Sequence, residues 1–552
     1  MKDFFQHIFI YNQDSPLIFT RFFFWGFFAV VLAGFSIIHK HKALRNAYLF
    51  LVSLFFYYKT GGLFFFILIF STVTDYGIGH AIYSSSSQIR KKLWLALSLT
   101  VNLGVLLFFK YDYFLTDTFN KIFGTNLEVV THAAKWSNEM FGTHFDLGKI
   151  LPPVGISFFT FQTISYSIDV YRGLVKPVKS LLDFGFYVSF FPQLVAGPIV
   201  RAADFIPQLY NKYSLTSREF GYAFYLILKG LTKKMFIGDY LAVNLIDRVF
   251  SNPASYSGFE NLSALYSYSL QVYCDFSGYT DIAIGVALLM GFYLPKNFNS
   301  PYKAKSVSDF WRRWHMSLSS WLKDYLYIPM GGNRGASTFT YISLIVILGF
   351  VILLSGKLIL IPIIVFLAGV IWLLTRFFPP IKLTVSTNIN IMMTMLLGGL
   401  WHGSSWMFVI WGGLNGLGVL IYKYWKKISP YQNKNVWYVN TWRIFLTFSF
   451  ITFTRIWFRG ESMQGTAELL GQITRNFGWG HVYEMIVSYW KPLAMLAFGL
   501  TMHWLPDKVK CAYRDWFILR PLYQKIGIAS GIVFVIYQSV SSELTPFIYF
   551  QF

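Results

Sequence analysis

Cysteine is nearly missing from this 552-residue chain. Cys274 and Cys511 are too far apart in sequence and too isolated to indicate a disulfide framework or a thiolate metal site. Charge is scarce too, at 13% of residues, against 55% hydrophobic and 20% aromatic, with 59 Phe. That composition excludes an ordinary soluble enzyme and suits a polytopic membrane protein. Acidic side chains number 25 against 47 Lys plus Arg. The resulting net charge of +22 would suit a nucleic-acid face if clustered, but these cations are spread through short connections between apolar runs. That is the positive-inside pattern, with some attraction to anionic lipid headgroups, and nucleic acid is not an expected partner. The amino end lacks the basic, apolar and small-residue order of a removable leader, so the first span is expected to direct insertion. No His-Glu-x-x-His or Gly-x-Ser-x-Gly pattern occurs, and Gly331-Gly332-Asn333-Arg334 lacks the length and lysine of a phosphate-binding loop. Neither a metal nor a bound cofactor is expected.

Long uncharged runs are what the chain does have. Those at 93–109, 339–356, 358–375 and 526–542 approach or reach the ~20 residues that cross a ~30 Å hydrocarbon core. The expected fold is one all-α polytopic membrane domain over 1–552, with roughly 11 to 13 transmembrane segments plus re-entrant or interfacial helices around a central tunnel. Early spans are expected at about 17–38, 46–58, 62–82 and 93–109, with Lys40, Lys42, Arg45 and then Arg90, Lys91, Lys92 facing the cytoplasm. The more polar stretch 110–149 reads as an external loop. Segments 151–159 and 190–198 are apolar but broken by Pro and Gly, so they cannot be straight helices. Irregular backbone at membrane depth survives only where protein or an aqueous cavity covers it, so a buried cavity is expected.

Between Lys382 and Lys423 there is no Asp, Glu, Lys or Arg, and His402 sits mid-run. An ionisable side chain at membrane depth is a functional-site candidate, and the nearby glycines permit close backbone approach. The structural alternative is a neutral histidine hydrogen-bonded inside a bundle. The densest polar cluster lies at 308–322. As a helix it puts Trp311, Trp314, His315, Leu318, Trp321 and Leu322 on one face and Arg312, Arg313 and Lys323 largely on another, with Asp309 and Arg313 four apart. In 273–281, Ser277 reads as the cap of a helix with Asp281 in its first turn, and nothing beside Cys274 is arranged to activate its thiol.

Taken together, 190–201 (FFPQLVAGPIVR), 273–285, 309–318 (DFWRRWHMSL), 327–334 (YIPMGGNR), 399–406 (GLWHGSSW) and 546–550 resemble the bacterial membrane-bound O-acyltransferase (MBOAT) superfamily. The nearest branch is that of the alginate O-acetyltransferase membrane protein, related to the D-alanyl transfer protein of teichoic acid. The resemblance runs from about 150 to 460. It implies an acyltransferase of the bacterial cytoplasmic (inner) membrane, with His402 catalytic and His315 a second active-site position. Trp311, Arg312, Arg313, Trp314, Trp401, Ser404, Trp406 and Asp309 are then expected at the substrate-binding surface. The implied donor is acetyl-CoA or an acylated carrier protein on the cytoplasmic side. The implied acceptor is an extracytoplasmic polysaccharide or a partner acetyltransferase. Arg312 and Arg313 would meet donor phosphates or anchor to lipid headgroups. An imidazole titrates ordinarily near pH 6.5, so His402 suits the general base that an alcohol nucleophile requires. One departure from the family is an added hairpin at 339–375, expected on the outer rim. The rivals are D-alanyl or lipid acyl transfer within the superfamily and, from another class, a transporter or flippase built on the broken helices.

Overall fold

The computed structural model describes residues 9–12, 15–127, 138–139, 153–355 and 359–539. Among them every regular element is helical. Helix α1 (Phe22–Ile38) turns Phe24, Phe28, Val31 and Phe35 inward, a stripe at helical spacing. Helices α2 (Lys42–Gly61) and α3 (Phe65–Ser84) form a continuous 43-residue helical stretch. A 3₁₀ turn with Gly62 at φ 62° interrupts it. The next stretch, Gln88–Phe123, joins α4 (Gln88–Leu106) through a π turn at Leu107–Tyr111 to α5 (Asp112–Phe123). The first part of the expected external loop is therefore helix, because its Lys and Asp residues fall on a continuing turn. Residues 128–137 and 140–149 lie outside the described ones, as do 546–550.

Five helices among the described residues are both long and apolar enough to cross a membrane, or up to seven if two sharply bent pairs each count as one span. The bent pairs are Trp479–Ser488 with Trp490–Trp504 (83°) and Asp507–Ile518 with Leu522–Ser539 (118°). That total is below the eleven to thirteen spans read from the sequence. Equally long helices such as Trp437–Arg459 carry arginines within or at the end of the run and fall short on apolarity. Arg45, read as a loop cation, is buried and donates to the carbonyls of Leu209 and Asn211.

Two helices occupy the centre. In α6 (Ile156–Tyr171) nearly every side chain is buried. Helix α9 (Gly258–Leu289) runs 32 residues from a capping box made by Ser257 and Glu260. Ser277 and Asp281 are accordingly mid-helix, which corrects their reading as a cap and first turn. The helix continues through them because α8 (Ser217–Leu231) and the π turn after it supply Lys229 and Lys233, which pair with Asp281 at 3.1 and 2.7 Å. A Cβ on Gly230 would lie 2.5 Å from the carbonyl oxygen of Gly278, so small residues set this close crossing.

The second Pro/Gly segment is broken as expected, and residues 153–155 of the first, whose 151–152 lie outside the described residues, lead irregularly into α6 and pack on that second segment. Helix α7 (Leu181–Ser189) stops at Phe190, a single turn at Phe191–Leu194 follows, and the chain is then irregular and buried to Val200. Its exposed peptide groups are served from elsewhere: Ser53 Oγ accepts from Phe191 N (3.2 Å), Ser317 Oγ from Ile199 N (3.0 Å), and Tyr187 Oη donates to Val200 O (3.0 Å). Gly155, at φ 76°, lets α6 begin against this segment, since a Cβ there would meet Leu194 O at 2.6 Å.

The polar cluster at 308–322 is not one helix. Helix α10 (Val307–Trp311) ends, the chain turns, and α11 (Met316–Leu322) starts from His315 at φ 44°. The turn is pinned by 297–299: Asn297 accepts from Met316 N (2.9 Å) and Ser317 N (3.1 Å), and Asn299 N donates to Arg313 O (2.9 Å). These tertiary bonds offset the ~1–3 kcal/mol cost of a left-handed non-glycine residue.

Helices α12 (Thr338–Ser355) and α13 (Leu360–Phe377) follow, and none of the Leu360–Phe377 stretch is buried inside the molecule. They touch α5 and α14 (Pro379–His402). Helix α14 lies against α15 (Trp406–Ile428) through facing glycines. A Cβ on Gly399 would stand 2.3 Å from Phe408 O, and one on Gly412 2.4 Å from Met395 O. Gly399→Ala should therefore force the helices apart and destabilise the protein by about 1–3 kcal/mol. Gly26→Ala, with nothing within 4 Å, should be neutral or mildly stabilising. Thermal unfolding of the two purified variants in detergent checks the contrast.

Candidate active site

Helix α14 ends at His402, where Gly403 turns extended (φ −162°). His402 is only 3% exposed, so its imidazole belongs to the interior. Its ring stands edge-on to Trp401, Trp411 and Phe458, with centroids 5.0, 4.9 and 5.5 Å away. Trp411 comes from α15 and Phe458 from α16 (Trp437–Arg459), so three helices close around one histidine.

His315 reaches Trp401 from a separate segment of the chain. The left-handed turn that breaks α10 from α11 aims its ring at Phe276 of α9 (4.7 Å) and at Trp401 (5.9 Å). It is fully buried, and neither ring nitrogen has a hydrogen-bond partner among the described residues. Unpaired polar atoms in a core are costly, which makes His315 a candidate site residue. Both histidines thus share the Trp401 ring, whose own indole N–H donates to Ser157 O (3.3 Å) on α6.

The end of α14 is held from an unexpected direction. Lys110 Nζ donates to Trp401 O (2.8 Å), His402 O (3.2 Å) and Ser157 Oγ (3.3 Å). Its neighbour Tyr111 donates to Leu400 O (2.6 Å). A helix C-terminus leaves its last carbonyls unpaired and carries partial negative charge, so an ammonium and a phenol there satisfy both needs. Consecutive residues do not normally serve the same target on a straight helix; both belong to the π turn Leu107–Tyr111. Sequence reading missed this pair. Lys110 had been assigned to a loop, and its one signal was a cation immediately following an uncharged run.

Other expected residues divide into two groups. Trp314 is buried near the histidines under the Arg455 guanidinium, 4.7 Å from its ring centroid, and Trp311 meets Trp411 at 5.7 Å. Asp309 is occupied by Arg313 (3.1 Å) and Arg312 (3.5 Å), an ion pair at the edge of the cluster, and the Arg312 side chain is mostly exposed. Ser404 is partly exposed, and Trp406 is exposed and packs on Phe114 (5.5 Å). The geometry therefore gathers His315, His402, Trp311, Trp314 and Trp401, and leaves Asp309, Arg312, Arg313, Ser404 and Trp406 at the periphery. Arg455, Trp411 and Phe458 join the centre unannounced by any motif.

An all-helical membrane protein with interrupted helices meeting at two buried histidines is the class that fold and site define. Residues 178–354 match the family model described as MBOAT, membrane-bound O-acyltransferase family, a stretch that includes His315 and stops short of His402. The chain is 36% identical over 405 residues to a probable alginate O-acetylase AlgI of Pseudomonas aeruginosa, covering 72% of this chain and 64% of that protein. It thus spans just under two thirds of that relative's length. A peptidoglycan O-acetyltransferase of Helicobacter pylori is 32% identical over 493 residues, 84% of this chain and 80% of that one. A teichoic acid D-alanyltransferase of Bacillus subtilis is 28% identical over 329 residues, 58% and 71% of the two chains. The chain belongs to the membrane-bound O-acyltransferase family.

Because Tyr111 holds the carbonyl just before the two site residues, Tyr111→Phe should slow turnover by more than its stability loss of about 1 kcal/mol accounts for. Tyr76→Phe removes a similar phenol-to-carbonyl bond, to Lys179 O (2.9 Å), and should leave turnover unchanged. Parallel assays of the two variants, each normalised to folded protein, make the test.

Proposed function

We propose that this protein transfers an acyl group, most simply acetyl, from an activated donor to a hydroxyl of a polysaccharide or cell-wall glycan outside the bacterial cytoplasmic membrane. The donor is an acetyl thioester, acetyl-CoA or an acylated carrier, arriving from the cytoplasmic side. The acceptor is the glycan itself or a partner acetyltransferase that relays the group. The observation that carries this reading is the pair of buried imidazoles against one tryptophan, set in a wall of aromatic rings. An alcohol is a poor nucleophile until a base takes its proton during attack, and a neutral imidazole does this at physiological pH. His402 is that base. His315, at the start of α11, orients the donor or polarises its carbonyl. Trp401, Trp411 and Phe458 exclude water, which would otherwise hydrolyse the donor. Relatives named for alginate and peptidoglycan acetylation favour acetyl over D-alanyl transfer, since those two are more identical and cover more of this chain than the D-alanyltransferase.

His402→Gln keeps approximate shape and one hydrogen bond but cannot accept the acceptor's proton at neutral pH. It should abolish transfer, a drop of at least about 100-fold, while the protein still accumulates in membranes. His315→Gln should retain measurable turnover. The readout is acyl content of the exported glycan or consumption of a labelled donor. Near-normal turnover by His402→Gln would remove general-base catalysis from this residue.

A further inference from the structure

Helix α16 places a second charge beside the site. Arg455 lies three residues before Phe458, whose ring touches His402, so both side chains leave the helix on the same side. It is 3% exposed. Its guanidinium covers the Trp314 ring, one terminal nitrogen reaches Tyr302 Oη (3.3 Å), and Nε has no hydrogen-bond partner among the described residues. Lys110 also lies by the end of α14, but its three N–H groups are already spent on the carbonyls of Trp401 and His402 and on Ser157 Oγ.

Among the described residues neither cation has a carboxylate within ion-pair distance. The nearby acids are already taken: Asp275 by Lys234 at 2.6 Å and Asp247 by Arg459 at 3.4 Å. Other buried charges are served more fully: Lys234 lies between Asp239 and Asp275, Asp281 between two lysines, and Arg45, without an ion pair, donates to the carbonyls of Leu209 and Asn211 and to Asn46 Oδ1. Arg455 has a phenol, an indole face and an N–H left over among the described residues, which suits it to receive an anion.

We propose that Arg455 forms an anion-stabilising site whose ligand is the negatively charged oxygen that develops on the acyl carbonyl. The inference rests on the acyl-transfer reading. As the acceptor oxygen bonds to the carbonyl carbon, its proton passes to His402 and the carbonyl π pair becomes an oxyanion beside the Arg455 guanidinium. Collapse restores the carbonyl, breaks the bond to the donor's leaving group, and returns the proton from His402 to that group. Preorganised cations act most strongly in such a water-poor setting, where they need no reorganisation as charge develops.

Arg455→Met removes the charge at similar length, and Arg455→Lys keeps it. The expected result is a fall in kcat of about 100-fold for Arg455→Met with little change in donor KM, and recovery to within about tenfold for Arg455→Lys. Equal losses in the two variants overturn the proposal and reduce Arg455 to a packing group over Trp314. A second readout needs no turnover. Acetate should raise the thermal midpoint of the purified wild-type protein relative to the bulkier isethionate at equal ionic strength, with the rise lost in Arg455→Met and kept in Arg455→Lys. An acetate effect that persists in Arg455→Met also overturns it. If Arg455→Met does not accumulate, Arg455→Gln carries the same two measurements. Wild-type protein that consumes no acyl donor yet shows the Arg455-dependent acetate shift removes acyl transfer and leaves the anion site. Normal turnover by Arg455→Met removes the anion site alone.

Discussion

Peptide groups freed by a broken helix find no water in a hydrocarbon core, so each break must be served by another part of the protein. Three breaks converge here: the turn before α11, the irregular run after α7, and the end of α14 at His402. They supply one another. Ser317, just past the first break, accepts from Ile199 in the second, and Ser157, next to the Gly155 turn that packs on the second, accepts from Lys110 and Trp401 around the third. The requirement to satisfy backbone in a dry interior therefore brings distant segments together, and the two histidines stand where those segments meet.

Close approach is the second condition. Gly399 and Gly412 let α14 and α15 touch backbone to backbone, and Gly230 and Gly278 do the same for α8 and α9. Between apolar helices in lipid, such contact supplies packing that the hydrophobic effect does not. The closeness of α15 carries Trp411 to His402, so a packing device also builds the wall of the site.

Charge inside the protein follows a rule with informative exceptions. Asp75 is fully buried yet accepts from Ser98, Asn102 and Ser167, which ties α3, α4 and α6 together. Asp281 and Asp275 each face lysine. Where no carboxylate is at hand, a buried basic side chain rests on carbonyls, as Arg45 does on Leu209 and Lys110 on Trp401, or, like Arg455, on a phenol and an indole face. The low dielectric that makes an unmatched charge costly also makes it effective toward a developing negative charge.

The membrane class, the helical fold, the broken segment at 190–198 and the burial of His402 were legible in the amino-acid order, because they depend on local composition: uncharged runs, Pro and Gly at membrane depth, an isolated ionisable group. The glycines before His402 likewise announced close backbone approach. What local pattern could not fix were features decided by partners far away in the chain. The periodicity of 308–322 favoured one amphipathic helix, but hydrogen bonds from 297–299 break it and turn His315 inward. Asp281 looked like a helix start until lysines of a neighbouring helix made it a mid-helix ion pair. Lys110, 291 residues from Trp401, and Arg455 had no motif to mark them. Their roles exist only where tertiary packing brings an ammonium to a helix end and a guanidinium to a tryptophan face, since no local sequence rule encodes which buried charge is left without a counter-charge.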